Sequence, residues 1–170
     1  MPRHPKPSST GLTTFLNIAY DTVVIMKKLN ILVVDDSRSA RALLQSMLSS
    51  YGQCDLAVDG QEAVSRFQAA LDLDRPYDVI FMDIHMPDMD GIKATQKILD
   101  IQFSFGREAR TKVVMLSQIR DKETMLRSQI QIGADMYLTK PLEERTLHEA
   151  LVNLELMDLP LDIDRLCDRF

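Results

Sequence analysis

Residues 77–83 decide the fold, and they read Tyr-Asp-Val-Ile-Phe-Met-Asp. This run is the most hydrophobic predicted strand in the chain, and it ends abruptly in Asp83. A second run of the same kind, Ile-Leu-Val-Val at residues 31–34, ends in Asp35 and Asp36. Runs this short and this apolar indicate strands that are buried on both faces, as in a parallel sheet.

Amphipathic helices are predicted between the strands. Ser37 is expected to cap the first helix and Gly52 to end it. Strands are predicted at about residues 31–34, 56–58, 77–82, 113–116 and 136–138. Helices are predicted at about residues 38–51, 60–71, 92–103, 121–133 and 143–154. The five strand–helix units predict an α/β fold, a doubly wound five-stranded parallel sheet with helices on both faces.

Composition limits the class of protein. The chain has 170 residues, 45% of them hydrophobic, which is enough for a core of normal size. Its 20 basic against 25 acidic residues give a net charge of −5, so we expect no direct nucleic-acid partner. Cys54 and Cys167 form neither a disulfide framework nor a zinc motif, which favours a cytoplasmic protein.

The two ends of the chain are expected to lie outside the folded domain. Residues 1–27 are Pro-, Ser- and Thr-rich at first and are predicted to be a disordered extension; alternatively Met26 is the true start. Residues 12–25 are too polar for a secretory signal and too short for a membrane span, so no membrane insertion is expected. The domain is predicted at residues 28–155, and residues 156–170 are predicted to form a short tail.

Polar side chains gather where the predicted strands end. Asp35 and Asp36 follow the first strand, Asp83 the third, Ser117 the fourth and Lys140 the fifth. Ligand sites in open parallel sheets lie at the carboxyl ends of the strands. Each residue alone is more simply explained as a helix cap or a solvated side chain, but the five together predict a functional site.

The chemistry of this group points to a divalent cation. Two carboxylates about 4 Å apart repel by roughly 4 kcal/mol at an effective dielectric constant near 20, so a cation is needed. Oxygen ligands without His or Cys select a hard ion, and Mg²⁺ fits a site that also receives phosphate oxygens. Lys140 and Ser117 are suited to bind those oxygens, and one carboxylate could act as a nucleophile and form an acyl phosphate.

At this point the sequence resembles a response-regulator receiver domain of two-component signalling, with the fold of the chemotaxis regulators. The resemblance covers about residues 29–154. It rests on four motifs, namely Val33–Asp36, Asp83–Gly91, Ser117 after an apolar strand, and Gly133–Pro141.

The resemblance implies a role for each matching residue. It makes Asp83 the phosphorylated residue, with Asp35, Asp36, Asp83 and the backbone carbonyl of His85 as Mg²⁺ ligands. Ser117 and Lys140 would bind the phosphoryl group, and the Lys140–Pro141 bond would be cis. Ser117 and Tyr137 would be the switch residues, whose side chains respond to phosphorylation.

The resemblance also implies the strand order 2-1-3-4-5 and a set of partners. The donor would be a sensor histidine kinase or a histidine phosphotransfer protein, and Arg38 and Ala42 on the first helix are candidate contacts. A downstream target protein would read the phosphorylated state through the predicted helices at 121–133 and 143–154 and the strand between them. A homodimer that forms on phosphorylation is also allowed. The domain would not be an enzyme beyond its own phosphorylation and dephosphorylation.

Two other functions stay open. A haloacid-dehalogenase-type phosphatase also uses an Asp nucleophile, Mg²⁺ and a Lys, but it needs a second acid two residues on, where this chain has His85. A receiver-like interaction module would not depend on phosphorylation. Two positions depart from the family pattern: Gln118, which is bulkier than usual and is predicted to alter the phosphoryl lifetime, and a long stretch at residues 102–112, predicted to be a surface loop.

Overall fold

The structure is a computed structural model of the chain, and it describes residues 28–106, 110–118 and 132–157. It has five strands there, β1 (Leu29–Val34), β2 (Gly52–Ala57), β3 (Val79–Asp83), β4 (Lys112–Gln118) and β5 (Met136–Lys140). The helices bounded within these residues are α1 (Arg38–Leu48), α2 (Gly60–Asp72), α3 (Gly91–Phe105) and α4 (Glu144–Asn153).

The strands form one parallel sheet in the order β2-β1-β3-β4-β5, which confirms the predicted fold class and strand order. The register aligns the carboxyl ends of neighbouring strands. Val34 lies opposite Met82 and Asp83 opposite Leu116. The residues that end β1, β3, β4 and β5 therefore meet along one edge of the sheet.

Alternate residues of each central strand supply two separate hydrophobic layers. Leu32 and Val34 of β1 pack with Phe67 of α2 and Ile98 of α3 on one face of the sheet. On the other face, side chains from β1 and β3 pack with those of α1 and α4, namely Ile31, Val33, Phe81, Leu44, Leu48 and Leu147. Burying each such side chain contributes about 1.5–3 kcal/mol, so the two layers hold the helices on opposite faces of the sheet.

Three helices start with a capped turn near this edge of the sheet. The Ser37 hydroxyl accepts from the Ala40 N–H at 3.4 Å, which confirms Ser37 as the N-cap of α1. Carboxylates cap the other two: Asp59 accepts from the N–H of Glu62 at the start of α2, and Asp90 from that of Lys93 at the start of α3. Each cap satisfies a backbone donor that the helix leaves unpaired.

The boundaries predicted for β2 are wrong. The strand runs from Gly52 to Ala57, whereas the sequence predicted residues 56–58, and α1 ends at Leu48 rather than at Gly52. Gly52 and Asp55 are poor strand formers. They adopt the strand because β2 pairs with β1 along its whole length and because the Tyr77 hydroxyl donates to Asp55 at 2.7 Å.

The prediction of a loop at residues 102–112 is also partly wrong. Helix α3 continues through Phe105 and ends at Gly106, which has a left-handed backbone with φ of 61°. Strand β4 then begins at Lys112.

Several predictions fall outside the described residues. They are the extension at 1–27, the helix at 121–133 except for its last two residues, and the tail at 156–170 except for its first two residues. Within the part of the chain that the structure describes, none of the helices combines the length and hydrophobicity that a membrane crossing requires.

Candidate functional site

Three predicted acids meet at the carboxyl ends of two neighbouring strands. Asp35 and Asp36 directly follow β1, and Asp83 is the last residue of β3. One carboxylate oxygen from each lies within 4.8 Å of those of the other two. Asp35 and Asp83 are buried while Asp36 is exposed. At an effective dielectric constant of about 20, each pair at that distance repels by roughly 3.5 kcal/mol, so the cluster needs positive charge.

Lys140 supplies positive charge from the end of β5. Its Nζ lies 2.6 Å from Oδ2 of Asp35 and 2.8 Å from Oδ1 of Asp83, and its side chain is 25% exposed. Burial would lower the pKa of Lys140, but hydrogen bonds and charges from the two carboxylates outweigh burial and raise that pKa. The ammonium is thus held protonated between two of the three acids. The Lys140–Pro141 peptide bond is cis, as the resemblance implied.

The carboxylate of Asp83 has an unusual environment for an acid. Burial raises its pKa, the hydrogen bond and charge of Lys140 oppose that increase, and the charges of Asp35 and Asp36 add to it. The net effect is a raised pKa, so the pocket stabilises the ionised carboxylate less than water does. An added divalent cation would reverse this balance.

Asp35 is fixed through four of its polar atoms. Its N–H donates to the carbonyl of Ala57 at the end of β2, and its Oδ1 accepts from the N–H of Ser37 at 2.8 Å. Its Oδ2 accepts from Lys140. The guanidinium of Arg41 donates to its backbone carbonyl at 2.5 Å. Sequence reasoning missed Arg41, whose only signal is its position one helical turn after the cap of α1.

Gly91 brings the loop after β3 back against the site. Its N–H donates to the carbonyl of Ile84 at 3.0 Å. A Cβ at this position would lie 2.0 Å from the backbone oxygen of Asp83, so only glycine fits. The sequence indicated Gly91 as a loop residue, but this contact depends on how the chain folds back and could not be predicted from spacing.

The other predicted site residues lie around the acids. Ser117 is fully buried at the end of β4, one residue beyond the strand partner of Asp83. Tyr137 lies in β5; burial raises its pKa, and its buried hydroxyl has no hydrogen-bond partner among the described residues. His85 and Gln118 are exposed. The structure therefore brings Asp35, Asp36, Asp83 and Lys140 into one cluster, with Ser117 beside it.

The donor set fits a hard cation. Asp35, Asp36 and Asp83 can each offer a carboxylate oxygen, and the exposed Asp36 leaves one side of the group open to solvent. Carboxylate oxygens with open positions for water and phosphate suit Mg²⁺ better than zinc or copper. The site can therefore hold a divalent cation and an anionic group at the same edge of the sheet.

Comparison with known proteins gives consistent matches. A family model described as the response regulator receiver domain matches residues 31–152. The chain is 36% identical over 126 residues to the chemotaxis protein CheY of Treponema pallidum, covering 73% of this chain and 81% of that protein. It is 35% identical over 133 residues to probable histidine kinase 2 of Oryza sativa subsp. indica. That match covers 72% of this chain, which spans only 12% of the kinase.

A solved structure shows the same fold. It is the receiver domain of the histidine kinase CKI1 from Arabidopsis thaliana, complexed with Mg²⁺ and BeF₃⁻. The TM-score is 0.66 at 29% sequence identity, with 75% of this chain and 89% of that chain covered.

Proposed function

The chain belongs to the response-regulator receiver family, and on that premise we propose that it is a signalling switch that accepts a phosphoryl group on Asp83. The observation that carries the proposal is the position of the Asp83 carboxylate at the end of β3, where it contacts the Lys140 ammonium at 2.8 Å and lies within 4.8 Å of two further acids. Such a carboxylate is buried enough to be protected from bulk water, yet it is next to the exposed Asp36.

The proposed reaction is a transfer from phosphohistidine. An oxygen of the Asp83 carboxylate attacks phosphorus, an O–P bond forms, and the N–P bond to the imidazole breaks. The electron pair of the broken bond goes to the imidazole nitrogen, which takes a proton from solvent. The product on Asp83 is an acyl phosphate, with oxygens that Lys140 can bind from its present position near Asp83.

Asp35, Asp36 and Asp83 are the residues that would hold Mg²⁺, together with the backbone carbonyl of His85. When bound, the ion would offset the negative charge of the carboxylates and of the incoming phosphoryl group. Asp35 is already oriented for this role by the hydrogen bond that its Oδ1 accepts from the Ser37 N–H. The magnesium-bound receiver domain among the solved structures supports the same choice of ion.

Ser117 and Tyr137 are the proposed switch residues. The Ser117 hydroxyl would move to hydrogen-bond the phosphoryl oxygens, and Tyr137 would follow because it lies on β5, which pairs with β4 and places Thr139 opposite Ser117. Moving an equilibrium from 1:99 to 99:1 takes about 5.5 kcal/mol. Two to three charge-assisted hydrogen bonds of roughly 1.5–3 kcal/mol each can supply it.

The proposed partners are proteins. The donor is a histidine kinase or a histidine phosphotransfer protein in the cytoplasm, and the face of α1 beside the acids is the candidate docking surface. Arg38, Ala42 and Leu43 are exposed on that helix, Leu43 by 56%. A downstream target protein, or a second phosphorylated copy, would read the switched state.

Intact mass after incubation with acetyl phosphate and Mg²⁺ tests the proposal. We expect one phosphoryl adduct on the wild type, and none on Asp83→Asn or after chelation. Asp88→Asn is the matched control, because Asp88 is an exposed acid in the same loop and should leave the adduct unchanged. Steady release of phosphate without an adduct would favour a phosphatase. No adduct and no release would favour an interaction module that does not depend on phosphorylation.

A further inference from the structure

Asp36 is the least supported of the three acids. It is exposed, and within the described ranges no hydrogen bond or ion pair reaches its carboxylate. Asp35, in contrast, is held by Ala57, Ser37 and Lys140. The direction of the Asp36 side chain therefore depends on the backbone that carries it.

Arg41 anchors that backbone. Its Nη1 donates to the carbonyl oxygen of Asp35 at 2.5 Å, and this carbonyl belongs to the peptide plane that joins Asp35 to Asp36. A peptide unit is planar, so fixing its carbonyl also fixes its N–H and the starting direction of Asp36. Arg41 itself is half-buried and comes from the second turn of α1, which packs on the sheet through Leu44 and Leu48.

We propose that Arg41 is a positioning residue for the metal site, where it holds the Asp35–Asp36 peptide so that the Asp36 carboxylate faces the other two acids. This inference rests on the proposed function for the identity of the ion. Outer-shell partners that orient metal ligands commonly affect metal affinity by 10- to 100-fold.

The sign of the effect separates positioning from simple charge. If Arg41 acted only through its positive charge, removing it beside three carboxylates would make cation binding tighter. If Arg41 holds the peptide, removing it makes cation binding weaker although the site becomes more negative. Arg38 lies on the same helix and carries the same charge, but it is exposed and makes no contact with the Asp35 carbonyl in the structure. Arg38→Ala is therefore the matched control.

The experiment measures Mg²⁺ binding to the full chain by calorimetry. We expect Arg41→Ala to raise the dissociation constant for Mg²⁺ by at least tenfold, Arg41→Lys to raise it less, and Arg38→Ala to leave it unchanged or lower it. Equal or tighter binding by a folded Arg41→Ala variant overturns the inference, as does an equal loss in Arg38→Ala. Should Arg41→Ala fail to fold, Arg41→Lys decides by the same criterion.

A second readout needs no metal. In the metal-free chain, the amide resonance of Asp36 should shift and broaden in Arg41→Ala and stay at its wild-type position in Arg38→Ala. An unchanged Asp36 amide in Arg41→Ala overturns the inference. Failure of the wild type to bind Mg²⁺ or to be phosphorylated would instead refute the proposed function, and the Asp36 amide would still decide the role of Arg41.

Discussion

Replacing Lys140 by methionine removes the internal cation of the acidic cluster while keeping a side chain of similar length. The ammonium makes two short contacts, to Asp35 at 2.6 Å and to Asp83 at 2.8 Å. Breaking a buried ion pair costs about 3–5 kcal/mol, and the 25% exposure of Lys140 places this case at the lower end. We therefore expect Lys140→Met to lose about 3 kcal/mol of unfolding free energy without metal, or roughly 9 °C in Tm.

Magnesium should reverse about half of that loss, because tenfold tighter binding to the folded state is worth about 1.4 kcal/mol of the roughly 3 kcal/mol. In the wild type the ion and the ammonium compete for oxygens of Asp35 and Asp83, whereas in Lys140→Met all three acids are left to the ion. The variant should bind Mg²⁺ about tenfold more tightly or better. A ligand that binds only the folded state stabilises it by RT ln(1 + [L]/Kd), so at one Mg²⁺ concentration the tighter-binding variant should gain more in Tm than the wild type.

Urea and thermal unfolding with chelator and with saturating Mg²⁺ measure both effects. Lys93→Met is the control, because Lys93 pairs with Asp90 at 3.3 Å on an exposed surface and should cost well under about 1 kcal/mol. The reasoning is refuted if Lys140→Met is as stable as the wild type in chelator. It is equally refuted if Mg²⁺ raises the two Tm values by the same amount.

Three further changes test other parts of the site. Gly91→Ala should cost more than about 4 kcal/mol in urea unfolding, since its Cβ would lie 2.0 Å from the Asp83 oxygen; a loss below about 1 kcal/mol would contradict that contact. The pKa of Asp83 is raised by burial, so its share of metal-free stability is present below the unfolded carboxyl pKa and is lost as pH rises through the folded pKa. Asp83→Asn should remove that loss of stability with rising pH. If the urea midpoint of the variant depends on pH as it does in the wild type, this role of Asp83 is excluded. Gln118→Ala should change the lifetime of the acyl phosphate, because Gln118 lies opposite Lys140 in the sheet; equal dephosphorylation rates would show that Gln118 does not control access.

Local sequence was sufficient to predict the elements that depend on a hydrophobic pattern or on a single helix cap. The central strands β1 and β3 are apolar at every buried position before the final Asp83, so their type and their acidic ends could be predicted directly. Ser37 could be identified as a cap because serine is preferred directly before a helix, where its hydroxyl accepts from a backbone N–H of the first turn. The cluster of acids followed from the parallel arrangement, which places all carboxyl ends at one edge.

Contacts through space could not be read in this way. Strand β2 begins at Gly52 because β1 offers a partner there, against the strand propensity of its own residues. Arg41 and Gly91 lie against backbone carbonyl oxygens. Every residue carries such an oxygen, so the sequence does not indicate which of them is contacted. The position of Lys140 between two carboxylates likewise depends on where β5 ends relative to β1 and β3.

The poor strand formers of β2 have a consequence for solubility. The strand order leaves β2 at an edge of the sheet, with its other side unpaired among the described residues. An open edge made of valine and isoleucine would be a template for the strands of other molecules. Here the edge carries Gly52, Gln53 and Asp55, and Tyr77 holds the Asp55 carboxylate in place. The residues that made β2 hard to predict thus reduce the tendency of this edge to pair with strands of other molecules and to aggregate.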